Sequence, residues 1–303
     1  PLGRGAMGDV FKGFRCKTRE EIAVKRVKAC YENNLLIRRK ARQEASMAYR
    51  HPNLVEMLGF CEYEYNSGPC FLLSKFVLGE NIDTYMSTII DGDARRQKVC
   101  VAIMQVLDAL DYLHSKTVVH RDIKPSNIMV EEDSNVRLMD LGIARQNGGN
   151  AWSRFGFIGT PQYAAPEQIL RDEDDKANTI DCRTDIYSLG ITFYELLTGS
   201  NPMDCPTEAA TLAKQITEPL PSNAIIPRRL MNVILKATEK KQFDRYQNAM
   251  EFKQAITVAL QHPDSPWDKV TKWVTNNKWV VSSIIVLTLV AIMVCVFFVL
   301  YKS

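Results

Sequence analysis

Several signatures are absent from this sequence, and each absence narrows the reading. The eight cysteines are Cys16, Cys30, Cys61, Cys70, Cys100, Cys182, Cys205 and Cys295, and no two form a C-x-x-C pair. Zinc-ligand spacing is therefore missing, and thiols scattered through a chain of this length read as reduced cytosolic cysteines rather than a disulfide framework. A net charge of +3 is too small to argue for a nucleic-acid partner. No internal repeat and no low-complexity segment occurs. The chain opens on Pro1, with a glycine-rich string already at Gly3, so the expectation is a domain clipped at its N-terminus, and a missing signal peptide carries no weight.

What is present is the composition of a globular protein, with 46% apolar and 24% charged residues. The length suits one large domain or two smaller ones. One segment departs from that composition. Val280 to Leu300 contains no charged residue. Its 21 residues, at roughly 1.5 Å rise each, would extend about 32 Å as a helix, close to the thickness of a bilayer's hydrocarbon core. Trp273 and Trp279 precede it and Tyr301 follows, where aromatic belts sit. Lys269, Lys272 and Lys278 lie before it and only Lys302 after, which places the preceding residues in the cytoplasm by the positive-inside rule. The expectation is a transmembrane helix over 279–301, joined by a juxtamembrane linker, 263–278, that begins at His262-Pro263-Asp264-Ser265-Pro266.

The folded part changes character along its length. Val10–Phe14 and Ile22–Val27 are β-branched or aromatic runs split by a polar turn, and strand-like Leu54–Leu58 and Phe71–Ser74 follow. Residues 33–48 look helical, and their basic cluster of Arg38, Arg39, Lys40 and Arg42 reads as a solvated face. Beyond Gly79 the pattern turns helical, with three-four apolar spacing over 94–114, 184–197 and 229–237. A small strand-rich lobe thus precedes a larger helical one.

The chemistry-bearing strings come in a fixed order. Gly3-Arg4-Gly5-Ala6-Met7-Gly8-Asp9-Val10 fits G-x-G-x-x-G-x-V, whose glycines let backbone N–H groups close over phosphates. It lies between strand-like runs rather than before a helix, which argues against a dinucleotide fold. Ile22-Ala23-Val24-Lys25 ends a strand on a lysine, which needs an anionic partner if buried. Then come His120-Arg121-Asp122-Ile123-Lys124-Pro125-Ser126-Asn127, Asp140-Leu141-Gly142, and Gly159-Thr160-Pro161-Gln162-Tyr163-Ala164-Ala165-Pro166-Glu167.

Together these resemble the eukaryotic-type protein kinase superfamily over about residues 1 to 260. The phrasing HRDIKPSNIM and GTPQYAAPEQ most resembles bacterial membrane-anchored Ser/Thr protein kinases, which carry a transmembrane helix after the catalytic domain. The resemblance implies an α+β, bilobal protein kinase fold in residues 1–262: a small β-rich N-lobe with one helix (1–73), a hinge (74–78) and a larger helical C-lobe (79–262), followed by the single transmembrane helix. It implies a Ser/Thr kinase that transfers the ATP γ-phosphoryl group to protein hydroxyls and autophosphorylates. The alternative in another functional class is a membrane-tethered pseudokinase scaffold, which the presence of Lys25, Asp122, Asn127 and Asp140 disfavours.

The roles implied follow residue by residue. Asp122 orients the substrate hydroxyl, Lys124 sits near the transferring group, and Lys25 reaches the α/β-phosphates. Glu44 is the natural partner of Lys25, although it stands nearer to His51 than in the family. Asn127 and Asp140 hold Mg2+, with Mn2+ as its substitute. Gly3, Gly5 and Gly8 cover the phosphates; Val10, Ala23 and Met129 enclose the adenine; Lys75 and Val77 belong to the hinge, after Ser74 at the gatekeeper position. Leu141 replaces the usual phenylalanine as an apolar plug. Glu167 pairs with Arg245, and Asp185 braces the catalytic loop, although an Asp there also suits a helix N-cap. Arg121 would pair with a phosphate on the segment 140–167, with Ser153 as its autophosphorylation site, while Thr160 positions the substrate segment. The partners implied are protein substrates, a membrane reached through one C-terminal helix, and a second copy for trans-autophosphorylation in a homodimer, with no nucleic acid. The location implied is a bacterial cell membrane, single-pass, with the kinase domain cytoplasmic.

Overall fold

The computed structural model describes residues 1–4, 8–32, 34–46, 49–65, 67–140, 152–153, 156–157, 160–170, 179–261 and 277. The sequence run 280–300 lies outside the described residues. Among the described residues, no helix is long and apolar enough to cross a membrane.

The N-terminal part is a five-stranded antiparallel sheet of β1 (Gly3–Arg4), β2 (Gly8–Phe14), β3 (Glu21–Val27), β4 (Met57–Glu64) and β5 (Ser67–Lys75), in the spatial order β1-β2-β3-β5-β4. Strand β3 buries Ile22 on one face and Val27 on the other, five residues apart. Helix α1 (Leu35–Ser46) packs on β4 and β5. The small core between them holds Val27, Ala41, Cys70 and Leu72.

Two sequence expectations change here. The strand expected at Leu54–Leu58 begins only at Met57, so Met57 and Leu58 open β4, while Leu54 makes an isolated bridge to Leu138. The first part of the run, Leu54 and Val55, marks contact with the second lobe, and only its end pairs in the sheet. Nor is the basic cluster wholly solvated. Arg38 is fully buried, with its guanidinium on the Glu62 carboxylate and on the carbonyls of Gly68, Glu64 and Ser67. A buried guanidinium persists because its N–H groups all find acceptors.

The second lobe is helical, around a core built from α3 (Gly92–Ser115), α5 (Cys182–Thr198), α7 (Arg228–Ala237) and α8 (Ala249–Gln261). Helix α3 starts on an Asp91 cap, whose Oδ1 accepts from the amides of Asp93 and Ala94. Its Ile103, Leu107, Leu110 and Leu113 recur at three-four spacing and are fully buried. Gly190 lets α5 approach α7, because a Cβ there would stand 2.7 Å from the Thr238 methyl. Helices α2 (Ile82–Ser87), α4 (Pro166–Ile169) and α6 (Glu208–Thr217) surround this core. A three-stranded sheet of β6 (Gly79–Asn81), β7 (Ile128–Glu131) and β8 (Val136–Leu138) carries the loop just before β7 to the boundary between the lobes. Two-residue strands β9 (Trp152–Ser153) and β10 (Gly156–Phe157) pair with each other.

The hinge expected at 74–78 overlaps the last strand of the sheet, since β5 runs to Lys75 and β6 begins at Gly79.

Candidate active site

The strand register assembles one wall of the site. Val10 pairs with Lys25, and Ala23 pairs with Ser74. Directly paired residues share a face, as do residues two apart on a strand, so Val10, Ala23, Lys25 and Ser74 all face the same side. Gly8 allows β2 to close on β3, since a Cβ would lie 2.2 Å from the Arg26 carbonyl oxygen. Gly3 is in β1, whereas Gly5 lies outside the described residues.

From this wall Lys25 crosses to the other lobe. Its Nζ lies 2.8 Å from Asp140 Oδ2. The expected Glu44 stands in α1, but its side chain lies outside the described residues. Asp140 takes a left-handed backbone at φ 49, a conformation unusual for a non-glycine residue. Just before it, the Met139 amide donates to the Asn127 carbonyl at 2.9 Å, so the residues expected to hold metal are adjacent in space. Leu141 and Gly142 lie outside the described residues.

The loop before β7 carries Asp122, Lys124 and Asn127. Asn127 Nδ2 donates to the Asp122 carbonyl at 2.7 Å and to Asp122 Oδ2 at 3.1 Å. These bonds orient the amide and leave Oδ1 as the atom that can meet a cation. Lys124 Nζ lies 3.1 Å from Asp122 Oδ2 and donates to Thr160 Oγ1 at 2.7 Å. The Thr160 hydroxyl donates in turn to Asp122 Oδ1 at 3.1 Å. The result is a closed triangle of carboxylate, ammonium and hydroxyl.

His120 and Asp185 hold this loop from beneath. The His120 Nδ1 accepts from the Asp122 amide at 3.3 Å, which leaves Nε2–H to donate to the Met139 carbonyl at 2.9 Å. Burial pushes the His120 imidazole below its ordinary range, against the pull of Asp185, so it is neutral at physiological pH. Asp185 is completely buried in the first turn of α5. It does not cap the helix; Asp181 does, accepting from the Arg183 amide. Asp185 instead accepts from the amides of His120 (2.8 Å) and Arg121 (2.7 Å) and from His114 Nε2 (2.8 Å). Burial alone would raise its carboxyl, but the hydrogen bond and charge of His114, with His120 and the Arg121 amide, bring it below the ordinary value. Arg121 has φ 65 and is buried; its carbonyl accepts from Gln168 Nε2 at 3.1 Å.

Glu167 and Arg245 form a bidentate pair at 2.8 and 2.9 Å, and both are buried. The remaining Arg245 N–H groups bind the carbonyls of Arg183, Glu239 and Lys240. Ser153 falls on β9, but its side chain lies outside the described residues.

At the hinge, the exposed Lys75 side chain turns to Glu56, at 3.0 Å. It lines a cavity of about 360 Å³ with Phe76, Val77, His51 and Arg137, among others. Met129 pairs with Asn81 in the small sheet.

The sequence reading missed Gln168, His120 and the Tyr163–Glu195 contact (2.6 Å). His120 stands inside a recognisable string, which could have marked it. The glutamine had no signal, because its partners are backbone carbonyls and amides.

The site could hold a divalent cation only in part. Asn127 and Asp140 offer one amide oxygen and one carboxylate, hard ligands that suit a cation completing its shell with phosphate and water. Among the described residues, no group of three or more His, Cys, Asp or Glu side chains could hold a metal ion by itself.

A protein kinase domain family model matches residues 1–263. The serine/threonine-protein kinase PknB of Mycolicibacterium smegmatis is 32% identical over 279 residues, an alignment covering 88% of this chain and 43% of that protein. Serine/threonine-protein kinase PknH of Mycobacterium tuberculosis is 30% identical over 270 residues, covering 87% of this chain and 41% of that protein. The chain spans less than half the length of these relatives. The crystal structure of the M. tuberculosis PknI kinase domain superposes with a TM-score of 0.64 at 24% identity, covering 86% of this chain and 94% of that one, and shows the shared fold.

Proposed function

The chain belongs to the protein kinase domain family, and on that premise we propose that it transfers the γ-phosphoryl group of ATP to serine or threonine hydroxyls of proteins. The triangle of Asp122, Lys124 and Thr160 carries this reading. It places a carboxylate and an ammonium around a hydroxyl at 3.1 and 2.7 Å, the donor–acceptor arrangement an acceptor hydroxyl needs.

Phosphoryl transfer depends on positioning and charge neutralisation more than on covalent chemistry. Asp122 takes or orients the hydroxyl proton. Lys124 stabilises charge that develops on the transferring group. Lys25, held near Asp140, meets the α/β-phosphates. Asn127 and Asp140 would hold the divalent ion, which supplies charge neutralisation at the phosphates; Mg2+ is the expected ion and Mn2+ its substitute. Val10, Ala23 and Met129 enclose the adenine, against the hinge at Lys75 and Val77. The relatives are serine/threonine-protein kinases, which supports serine and threonine as acceptors.

The remaining elements of the reading are a membrane anchor at 279–301, a cytoplasmic kinase domain in a bacterial cell, and trans-autophosphorylation of Ser153 within a homodimer, with the phosphate meeting Arg121. The charge-free run from Val280 to Leu300 supports the anchor.

The test uses the full chain with labelled ATP, Mg2+ and a basic protein substrate, followed by hydrolysis to phosphoamino acids. Labelled phosphoserine or phosphothreonine is expected. Phosphotyrosine alone would overturn the acceptor class, and nucleotide binding without any transfer would favour a scaffold. Alkaline carbonate extraction of the expressing cells tests the anchor: the chain should stay with the membrane pellet, and its release into the supernatant would contradict that assignment.

A further inference from the structure

The segment Thr160–Tyr163 brings a hydroxyl to Asp122, yet no secondary structure longer than one 3-10 turn holds it. It is held by side chains from the large lobe. Ser188 donates to the Tyr163 carbonyl at 2.8 Å, and Tyr163 donates its hydroxyl to Glu195. Asn201 donates to the Gln162 carbonyl at 3.3 Å. The remaining grip comes from α6. Gln215 has no exposed surface, and its Nε2 donates to the Gln162 carbonyl at 2.6 Å and to the Pro161 carbonyl at 3.2 Å.

Gln215 is itself held by two further residues. Its Oε1 accepts from the Tyr187 hydroxyl at 2.6 Å. Tyr187, fully buried in α5, accepts in turn from Lys240 Nζ at 2.8 Å. Lys240 also donates to the Gln215 carbonyl at 2.8 Å. Every donor points the same way: ammonium to phenol, phenol to amide oxygen, amide nitrogen to the two carbonyls. An amide can flip and present either end, but the Tyr187 proton and the two carbonyls each specify the same orientation. Such chains polarise along their length in a low-dielectric interior.

We propose that Gln215 is a positioning residue for the acceptor side of the reaction, and that the relay Lys240–Tyr187–Gln215 holds the Pro161 and Gln162 carbonyls so that Thr160 stays on Asp122 and Lys124. The proposal rests on the kinase reading above for its consequence in activity, though not for its geometry. Gln215 touches no reacting atom. Its effect is carried through the backbone that precedes Tyr163, and therefore concerns the protein acceptor and not the nucleotide. Burial, with Arg245 nearby, lowers the Lys240 pKa to about 8, so the ammonium is still the prevailing donor at neutral pH.

The test compares the full chain with Gln215→Leu, Gln215→Glu and Tyr187→Phe. Leu removes both ends of the amide. Glu keeps the acceptor for Tyr187 and removes the donors. Phe removes the relay's middle hydroxyl while keeping the ring. The expected result is a fall of about tenfold in kcat/KM for a serine-containing peptide in both Gln215 variants, and of about threefold in Tyr187→Phe, the scale of one lost buried hydrogen bond or a fraction of it. The KM for ATP should stay within about twofold, since no relay residue faces the nucleotide wall. Amide hydrogen exchange is followed in parallel: the amides after Pro161 should exchange faster in Gln215→Leu, while those of α3 do not. Unchanged exchange at this segment would overturn the proposal, as would peptide and ATP parameters that worsen together. If the Leu variant does not fold, the two milder substitutions decide by the same criteria. A wild-type chain that transfers no phosphate would refute the kinase reading alone, and the exchange data would still decide whether Gln215 grips the segment.

Discussion

Replacing Asp185 by Asn alters one atom group and should damage both stability and turnover. The carboxylate takes three N–H donors, from His120, Arg121 and His114. The asparagine amide must turn its NH2 toward one side of that set. The less costly orientation sets it against the Arg121 amide, losing one charge-assisted bond worth about 1.5–3 kcal/mol. The two bonds that remain become neutral and weaken by roughly 0.5–1 kcal/mol each. A neutral amide is easier to bury than a carboxylate, which offsets part of the loss. The net expectation is about 2–4 kcal/mol, or a fall in Tm of roughly 4–12 °C for a domain of this size. Catalysis suffers for a further reason. Arg121 sits at φ 65, a backbone conformation that costs on the order of 1–3 kcal/mol unless its surroundings hold it. Its amide bond to Asp185 is one such hold. Once released, Arg121 relaxes and carries the neighbouring Asp122 with it, and a displacement near 1 Å can cost about a hundredfold in kcat. Thermal unfolding by circular dichroism and steady-state phosphotransfer measure the two effects. The Asp185 carboxyl is depressed below its ordinary 3.8, so its stabilisation is whole above about pH 4 and is lost as pH falls through the folded value. The difference in Tm between wild type and variant should therefore shrink in acid. A variant with Tm within about 1 °C and turnover within about twofold of wild type would refute the reasoning.

Two further substitutions probe other parts of the account. Arg245→Lys leaves one ammonium where five N–H groups bind Glu167 and three carbonyls, and should destabilise by about 3–5 kcal/mol in urea unfolding; a cost under about 1 kcal/mol would contradict the buried-pair assignment. Gly8→Ala drives a methyl to within 2.2 Å of the Arg26 carbonyl and should separate β2 from β3, at about 1–3 kcal/mol, with a raised KM for ATP; an unchanged KM would place the nucleotide away from β2.

Much of the site was legible because its residues sit in ordered strings. Asp122, Lys124, Asn127, Asp140 and Thr160 can be read from spacing and resemblance, and the structure brings the first three together with Thr160. Strands at Val10–Phe14 and Ile22–Val27 and helices near 94–114, 184–197 and 229–237 follow from strong periodicity, and each lies within an observed element. The failures have physical causes. Strand β4 contains Cys-Glu-Tyr-Glu and has exposed positions, so its pattern lacks the apolar alternation of a half-buried strand. Arg38 looks like a surface residue by type, and only the Glu62 carboxylate with the carbonyls around the β4–β5 turn explains its burial. Gln215, and Gln168 through its bond to the Arg121 carbonyl, act on backbone groups distant in sequence, which no local pattern records.

Single-turnover phosphotransfer by the full chain and by Asp122→Asn, with nucleotide affinity measured on both, tests the central claim most directly. The account predicts phosphoserine or phosphothreonine from the wild type, a loss of at least about a hundredfold in the variant, and ATP affinities that agree within about threefold. Equal transfer by the two proteins would contradict the assignment of Asp122, and transfer by neither, with ATP bound, would contradict the kinase reading itself.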